Sequence, residues 1–261
     1  MSNTWASYNM NNNKDGTTHT LGLNGTALEE NNLNWNVQEG YDSSENGTST
    51  SLNADYKATY GEVSGGFSQD KYQRTTNVGL QGGMIAHANG LTLSQPLGET
   101  IALVKAPGAS GTHIANQTGV ETDFRGYTVV PFVTAYRHNT ISLDTETLPD
   151  EADVTHASQI VTPTRGAVVR ASFNTRVGHR VLMTLTHNGK PLPFGATVTT
   201  EDKDSEFIVG TDGQTYLSGM PDRGKLSVSW GQEASDHCVA EYTLTDEKEK
   251  TDIINAAAQC Q

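Results

Sequence analysis

The side chains able to do chemistry are few and scattered. Eight histidines are spread over 261 residues. His179 and His187 stand eight positions apart on strand-like text, too far for a ligand pair on one helical turn, so surface or packing roles are expected. Asp202 and Asp204 form a carboxylate pair inside the charged run 201–206, which reads as a solvated hairpin rather than an acid/base couple. There is no G-x-S-x-G elbow, no G-x-x-x-x-G-K-[ST] loop and no G-x-G-x-x-G run; the pairs Gly65-Gly66 and Gly82-Gly83 sit in strand patterns. Cys238 and Cys260 fit no zinc spacing. On residues alone they are either free thiols or one disulfide. Asn24-Gly25-Thr26, Asn46-Gly47-Thr48 and Asn116-Gln117-Thr118 match the glycosylation acceptor, but they equally match turn chemistry. No cofactor, metal or catalytic residue is expected, and the chain reads as a non-enzyme.

Charge and composition narrow the partners and the class. Lys plus Arg is 17 and Asp plus Glu is 30, a net charge of −13. Such a surface suits neither nucleic acid nor anionic headgroups. Only 34% of residues are hydrophobic and 18% charged, with 26 glycines; the rest is mainly Asn, Thr, Ser and Gln. A helical bundle is richer in Ala, Leu, Glu and Lys, so the composition points to strands and turns. No window approaches 18 apolar residues, which excludes a transmembrane helix. The first residues, Met1 to Tyr8, lack the basic and apolar regions of a signal peptide.

Residues 1–92 contain no proline and alternate with period two. Leu33, Trp35, Val37, Glu39 and Tyr41 share one face against Asn34, Asn36, Gln38 and Gly40. Leu52, Ala54, Tyr56, Ala58 and Tyr60 oppose Asn53, Asp55, Lys57 and Thr59. Leu21, Leu23, Gly25 and Ala27 oppose Thr20, Gly22, Asn24 and Thr26. Strict alternation marks strands with one apolar and one polar face. Turn-forming runs such as 11–16, 29–32 and 42–47 separate them. About six strands in an up-and-down meander follow, the fifth and sixth near 62–69 and 73–87. The polar faces carry Asn, Thr, Gln and Gly rather than Lys and Glu, and the apolar faces are rich in Tyr and Trp. That pattern fits membrane-spanning strands of about ten residues, and it also fits an ordinary sheet with one wet face. Six strands cannot close a membrane barrel, and an open edge has no partner in hydrocarbon. If these strands span a membrane, the chain is expected to be the C-terminal part of a longer protein.

From about 93 to 172, short strands at 101–105, 127–133, 140–143 and 165–173 predict a small β-sandwich. From 173 to 261, strands at 180–187, 195–200, 206–210, 214–217, 225–230 and 238–244 predict a second. Asn188-Gly189, Asp212-Gly213 and Arg223-Gly224 mark its tight turns. Residues 245–259 read as a terminal helix, with Thr245 as N-cap, an acidic first turn, and Ile253, Ile254 and Ala257 facing the sheet.

Several ordered blocks then resemble one family, the outer-membrane ushers of chaperone–usher fimbriae and the type 1 fimbrial usher in particular. They are the runs 82–90 (GGMIAHANG), 95–97 (QPL), 102–109 (ALVKAPGA), 116–120 (NQTGV), 123–127 (DFRGY) and 161–170 (VTPTRGAVVR). Runs 188–196 (NGKPLPFGA), 213–219 (GQTYLSG) and 230–231 (WG) continue the series. The likeness is continuous from about 78 to 261; upstream it rests on strand pattern and composition.

This resemblance implies an all-β protein: terminal strands of a transmembrane β-barrel pore (1–92) followed by two small periplasmic β-sandwich domains (93–172 and 173–261). It implies that Cys238 and Cys260 form a disulfide. It implies location in the cell outer membrane, with the C-terminal domains in the periplasm. The expected partners are periplasmic pilus chaperone–subunit complexes, outer-membrane lipid and the rest of the usher chain, namely the missing barrel strands, plug and N-terminal domain. Ushers assemble pili by donor-strand exchange and use no ATP, so the resemblance too implies no enzyme activity and no cofactor. Exposed apolar groups in loops are the expected docking residues: Tyr136 and Arg137, Pro191, Leu192, Pro193 and Phe194, and Met220 and Pro221. The competing reading is a soluble multi-domain β adhesin or carbohydrate-binding module, with Trp5, Trp35 and Trp230 as stacking platforms.

Overall fold

The computed structural model describes residues 3–14, 16–43, 47–201, 206–231, 233, 236–244 and 253–261. Asp202, Asp204, Asn46 and the 245–252 part of the expected helix lie outside them. The chain divides into two compact units: Met1–Thr147 with His156–Phe173, and Leu148–Thr155 with Asn174–Gln261.

The first unit opens with a six-stranded antiparallel meander in chain order: β1 (Thr4–Asn12), β2 (Thr17–Ala27), β3 (Leu33–Asp42), β4 (Gly47–Ala58), β5 (Gly61–Gln69) and β6 (Arg74–Gln81). The alternation drives it: register keeps apolar residues in one set of rows and polar residues in the other. One apolar row runs Ala6, Leu23, Val37, Leu52, Phe67. One polar row runs Asn24, Asn36, Asn53, Gly66, Asn77. Gly66 belongs in that row because a Cβ there would lie 2.3 Å from the Asn77 Oδ1 and 2.7 Å from the Asn53 Oδ1. The sixth strand was expected to run to 87 but stops at Gln81, where Gly82 and Gly83 break the ladder. The chain then makes a separate hairpin, β7 (Gly83–His87) with β8 (Gly90–Ser94).

A small β domain follows. Its centre is β9 (Ile101–Lys105), antiparallel to β10 (Tyr127–Val130), while β11 (Asn139–Ser142) joins a second two-stranded sheet. β12 (Ala152–Val154) belongs to the second unit. β13 (Ser158–Val161) returns to pair β11, and β14 (Val168–Ser172) lies parallel to β9. β9 is covered on both faces, as its unbroken run Ile101-Ala102-Leu103-Val104 requires. Ile85, Ile101, Leu103, Tyr127 and Val129 form one cluster of its core.

In the second unit β15 (Thr175–Val177) pairs β12, and β16 (His179–His187) is the hub. Then come β17 (Lys190–Pro191), β18 (Thr197–Thr200), β19 (Glu206–Ile208), β20 (Gln214–Met220), β21 (Arg223–Ser229), β22 (His237–Thr243) and β23 (Ile254–Cys260). The sheet runs β17-β16-β23-β22-β21-β18-β19, with β20 also on β16. Val181, Met183, Leu185, Val198, Leu217, Leu226 and Val228 fill its core.

The C-terminus corrects the sequence reading. Residues 254–260 form a strand, not a helix, and Ile254, Ala256, Ala258 and Cys260 alternate inward. Alanine favours helix, but a slot parallel to β16 satisfies seven consecutive residues and overrides a propensity worth tenths of a kcal/mol each. Cys238 and Cys260 are joined by a disulfide, their Cα atoms 5.5 Å apart.

Candidate membrane face and docking surfaces

The apolar rows of the meander stay exposed. Val78 and Leu80 are 81% and 80% accessible, and Tyr8, Met10, Leu21, Leu52 and Val63 are also open. In water this would be an adhesive surface; against hydrocarbon it is the required one. The apolar stripe also crosses the sheet obliquely. On β1 it centres on Tyr8, which lies in one row with Leu21, Glu39, Thr50, Gln69 and Arg74. On β5 its members Val63 and Phe67 centre four residues below Gln69, and on β6 Val78 and Leu80 centre on 79, five residues below Arg74. The drift is therefore one residue per strand. With ~3.4 Å per residue and ~4.8 Å between strands, a horizontal apolar band requires strands tilted by about 35°, the tilt of a membrane barrel.

Glu39 is a charged residue on this face, as is Arg74 at the far end of the same row. The Glu39 Oε2 accepts a 2.7 Å hydrogen bond from the Thr50 hydroxyl. Tyr8 and His19 are hydrogen-bonded at 2.7 Å, and the His19 ring lies stacked between Tyr8 and Tyr41 towards one end of the face.

The opposite end meets the small domain of the same unit. The turn after β2 puts Leu28, Glu30 and Asn31 at φ of 68°, 53° and 56°. Side chains rarely adopt this left-handed conformation, and here it aims the Glu30 carboxylate outward. Glu30 Oε1 lies 2.7 Å from His113 Nδ1, and its Oε2 accepts the Gly119 N–H at 2.9 Å. The other ring nitrogen, Nε2, lies 3.3 Å from Glu121, whose second oxygen accepts the Thr59 hydroxyl at 2.8 Å. His113 thus clamps two carboxylates from opposite edges of its ring. That geometry ties the sheet's rim to the domain and cannot chelate one ion, because the two nitrogens point apart.

The expected docking residues separate on inspection. In the first unit Tyr136 is exposed at φ 59°, its amide donating to Pro163 O at 2.7 Å, and Arg137 is exposed beside it. In the second unit Pro191, Pro193 and Pro221 are exposed, and Phe194 is 77% accessible. Leu192 and Met220 are instead buried in the core, contrary to the exposure expected of them. Leu192 is drawn in by its amide bond to Leu185 O at 3.1 Å, and Met220 is turned inward by a bulge in β20 that pairs it with His179 while Leu217 pairs with Val181. Sequence reasoning missed Ile208 and Tyr216, both exposed on the same unit. Their outward parity on β19 and β20 was the available signal.

The tryptophans do not form a platform. Trp5 registers opposite Asn24 on the polar face, whereas Trp35 lies over Gly25 on the apolar face. Trp230 packs against the second unit's core and the His187 ring. His187 also bonds Cys260 O at 3.0 Å, and His179 bonds Asp222 at 2.9 Å. The Lys225 ammonium hydrogen-bonds Glu241 across β21 and β22 at 2.6 Å. That bond, with the pair's Coulomb attraction, holds the Lys225 pKa above and the Glu241 pKa below their ordinary values.

An oblique apolar stripe on a polar-lined meander, followed in the chain by small β domains, defines a class: transmembrane β-barrel proteins carrying β domains. Residues 1–173 match the family described as outer membrane usher protein, and residues 182–246 match the PapC C-terminal domain. The chain belongs to the outer membrane usher family. It is 48% identical over 261 residues to the outer membrane usher protein LpfC of Salmonella typhimurium, covering 98% of this chain and 31% of that protein. It is 49% identical over 260 residues to FimD of Escherichia coli, covering 98% and 30%. The chain thus spans under a third of these relatives. A chain of the E. coli P pilus tip assembly intermediate PapC-PapD-PapK-PapG shares the fold with a TM-score of 0.61 at 22% identity, over 99% of this chain and 33% of that one.

Proposed function

We propose that this chain is the C-terminal part of an usher that exports and assembles pilus subunits through a β-barrel pore. The carrying observation is the exposed apolar stripe drifting one residue per strand. Residues 1–92 supply the last barrel strands, and 93–172 and 173–261 are two periplasmic domains. The edges of β1 and β6 hold unpaired backbone groups that hydrocarbon cannot solvate, so further strands of the usher pair with them. The Asn-rich polar face lines the pore.

The two domains dock chaperone–subunit complexes and hold each one while the incoming subunit's N-terminal strand replaces the chaperone strand in its neighbour. Such exchange is driven by better edge pairing and groove filling, so the domains need surfaces rather than catalytic groups. Exposed aromatic residues in loops, Phe194 and Tyr136 above all, are the anchors. Deleting 173–261 from an intact usher carrying this chain should abolish retention of chaperone–subunit complexes and surface pili. Phe194→Asp, which leaves the core untouched, should weaken retention on its own. Full assembly by both variants refutes the docking role.

A further inference from the structure

We propose that the β7–β8 hairpin is a membrane foot, its Met84, Leu91 and Leu93 side chains lying in the lipid interface beside β6. The hairpin buries a mixed side and exposes an apolar one. Met84 pairs with Leu93 and Ala86 with Leu91 on one; Ile85 pairs with Thr92 on the other. Ile85 and Thr92 are buried, Ile85 within the domain's core cluster. Met84, Leu91 and Leu93 are exposed, and no charged residue shares their side. A hairpin standing in water alternates apolar-in with polar-out, so the exposed apolar side calls for a cover.

Continuity with the membrane face names that cover as lipid. The apolar stripe centres on residue 79 in β6, flanked by the exposed Val78 and Leu80. A band ~25 Å tall, crossed at about 35°, takes about nine residues of strand, so its lower edge falls near residue 83 or 84. The headgroup zone adds roughly 5–7 Å, two or three further residues along the same line. Met84 and its partner Leu93 fall at that boundary, with Leu91 at its outer side. The open end of the hairpin adjoins the sheet's rim: a Cβ on Gly82 would lie 3.2 Å from both Tyr60 O and Ser94 O. The hairpin is also fixed in place. The Arg125 guanidinium, paired with Asp123 at 2.8 Å, donates to Asn89 O at 3.0 Å and to Leu91 O.

The test uses an intact usher carrying this chain, reconstituted in phosphatidylethanolamine–phosphatidylglycerol vesicles. Leu91→Cys, Leu93→Cys and Met84→Cys are each labelled with the fluorophore NBD, Cys238 and Cys260 being disulfide-bonded and any cysteine outside this chain replaced by serine. Val78→Cys serves as the deep control and Thr140→Cys as the aqueous one. Spin-labelled phosphatidylcholine carries its quencher high or low on the acyl chain. Blue-shifted emission at 84 and 93, quenched more by the shallow label than by the deep one, is expected, with 91 weaker. Water-like emission without quenching overturns the proposal. So does blue-shifted emission that no lipid quenches, because a protein then covers the hairpin. The proposal rests on the membrane reading of the sheet; an unquenched Val78→Cys would fail that reading separately.

Discussion

Replacing both cysteines, Cys238→Ser with Cys260→Ser, tests how the second unit is held together. β23 makes seven consecutive pairs with β16 but meets β22 only at Ala240↔Cys260 and through the mutual Val239–Gln261 amide bonds. The disulfide therefore staples the sheet where its ladder is shortest. It closes a loop of 22 residues. The chain-entropy relation gives about −11 cal/mol/K for such a loop, or ~3.4 kcal/mol at 25 °C. Losing it should raise the second unit's unfolding constant by a factor of about 300. In urea, a slope of roughly 1–3 kcal/mol/M turns this into a midpoint lowered by roughly 1–3 M. Pulse proteolysis of the intact usher, blotted for residues 206–231, reads that midpoint. Reductant added to the unmodified protein should lower it by the same amount. A shift under about 0.5 M in both arms would refute the reasoning, because β23 would then be held by its pairing with β16 alone.

Three further outcomes follow from particular side chains. Met220→Ala should cost about 2–5 kcal/mol in the same urea assay by opening a cavity, whereas Phe194→Ala should leave the midpoint nearly unmoved. Glu39→Leu should stabilise the membrane sheet by roughly 1–2 kcal/mol, read as a higher temperature for loss of the detergent-resistant gel band. The exposed Lys225–Glu241 pair has a defined pH signature. Because Glu241 is held below its ordinary pKa, its contribution is complete above the unfolded value and is lost as pH falls through the folded one. Lys225 is held above its ordinary value, so its contribution is complete below the unfolded pKa and fades as pH rises through the folded one. Lys225→Met should erase the acid-limb part of the second unit's midpoint-versus-pH curve and leave the neutral plateau flat.

The meander was legible because register couples every residue's parity to one face. Leu33 through Tyr41 and Leu52 through Tyr60 announced the strands, and their partners had to align or bury asparagine in the wrong rows. Partners distant in sequence were not legible. β14 runs parallel to β9 and β23 parallel to β16, and neither pairing leaves a local mark. For 254–260 the local mark was even ambiguous: INAAAQC carries a helix-favouring alanine run and a period-two burial pattern together, and only the slot beside β16 decides between them. The same limit explains Leu192 and Met220. A Pro-Leu-Pro-Phe loop looks exposed throughout, yet one amide bond to Leu185 turns Leu192 inward and leaves Phe194 out. The Glu30–His113–Glu121 clamp lay beyond sequence reasoning for a further reason. Glu30 stands 83 residues before His113 and reaches it only through a left-handed turn that no glycine marks.

The oblique stripe was present in the sequence as well but could not be read without the register. Each strand's apolar centre is a local property, and its height relative to the next strand is not. Once Tyr8, Leu21, Glu39, Thr50, Gln69 and Arg74 are known to share a row, the separate alternations become one band inclined to the strands. A sheet packed on a second soluble layer has no need for its apolar centre to advance by a fixed step in one direction. A sheet tilted through a bilayer does, because the hydrocarbon slab is level and the strands are not. Moving the centre of β6 from residue 79 to residue 76, by Arg74→Leu with Leu80→Thr, keeps the number of apolar residues on the strand constant while breaking that advance. If the slab sets the pattern, the pair should cut the yield of folded usher in the outer membrane while each domain still folds. Unchanged yield would mean that the drift reflects the domain below the sheet, not the bilayer around it.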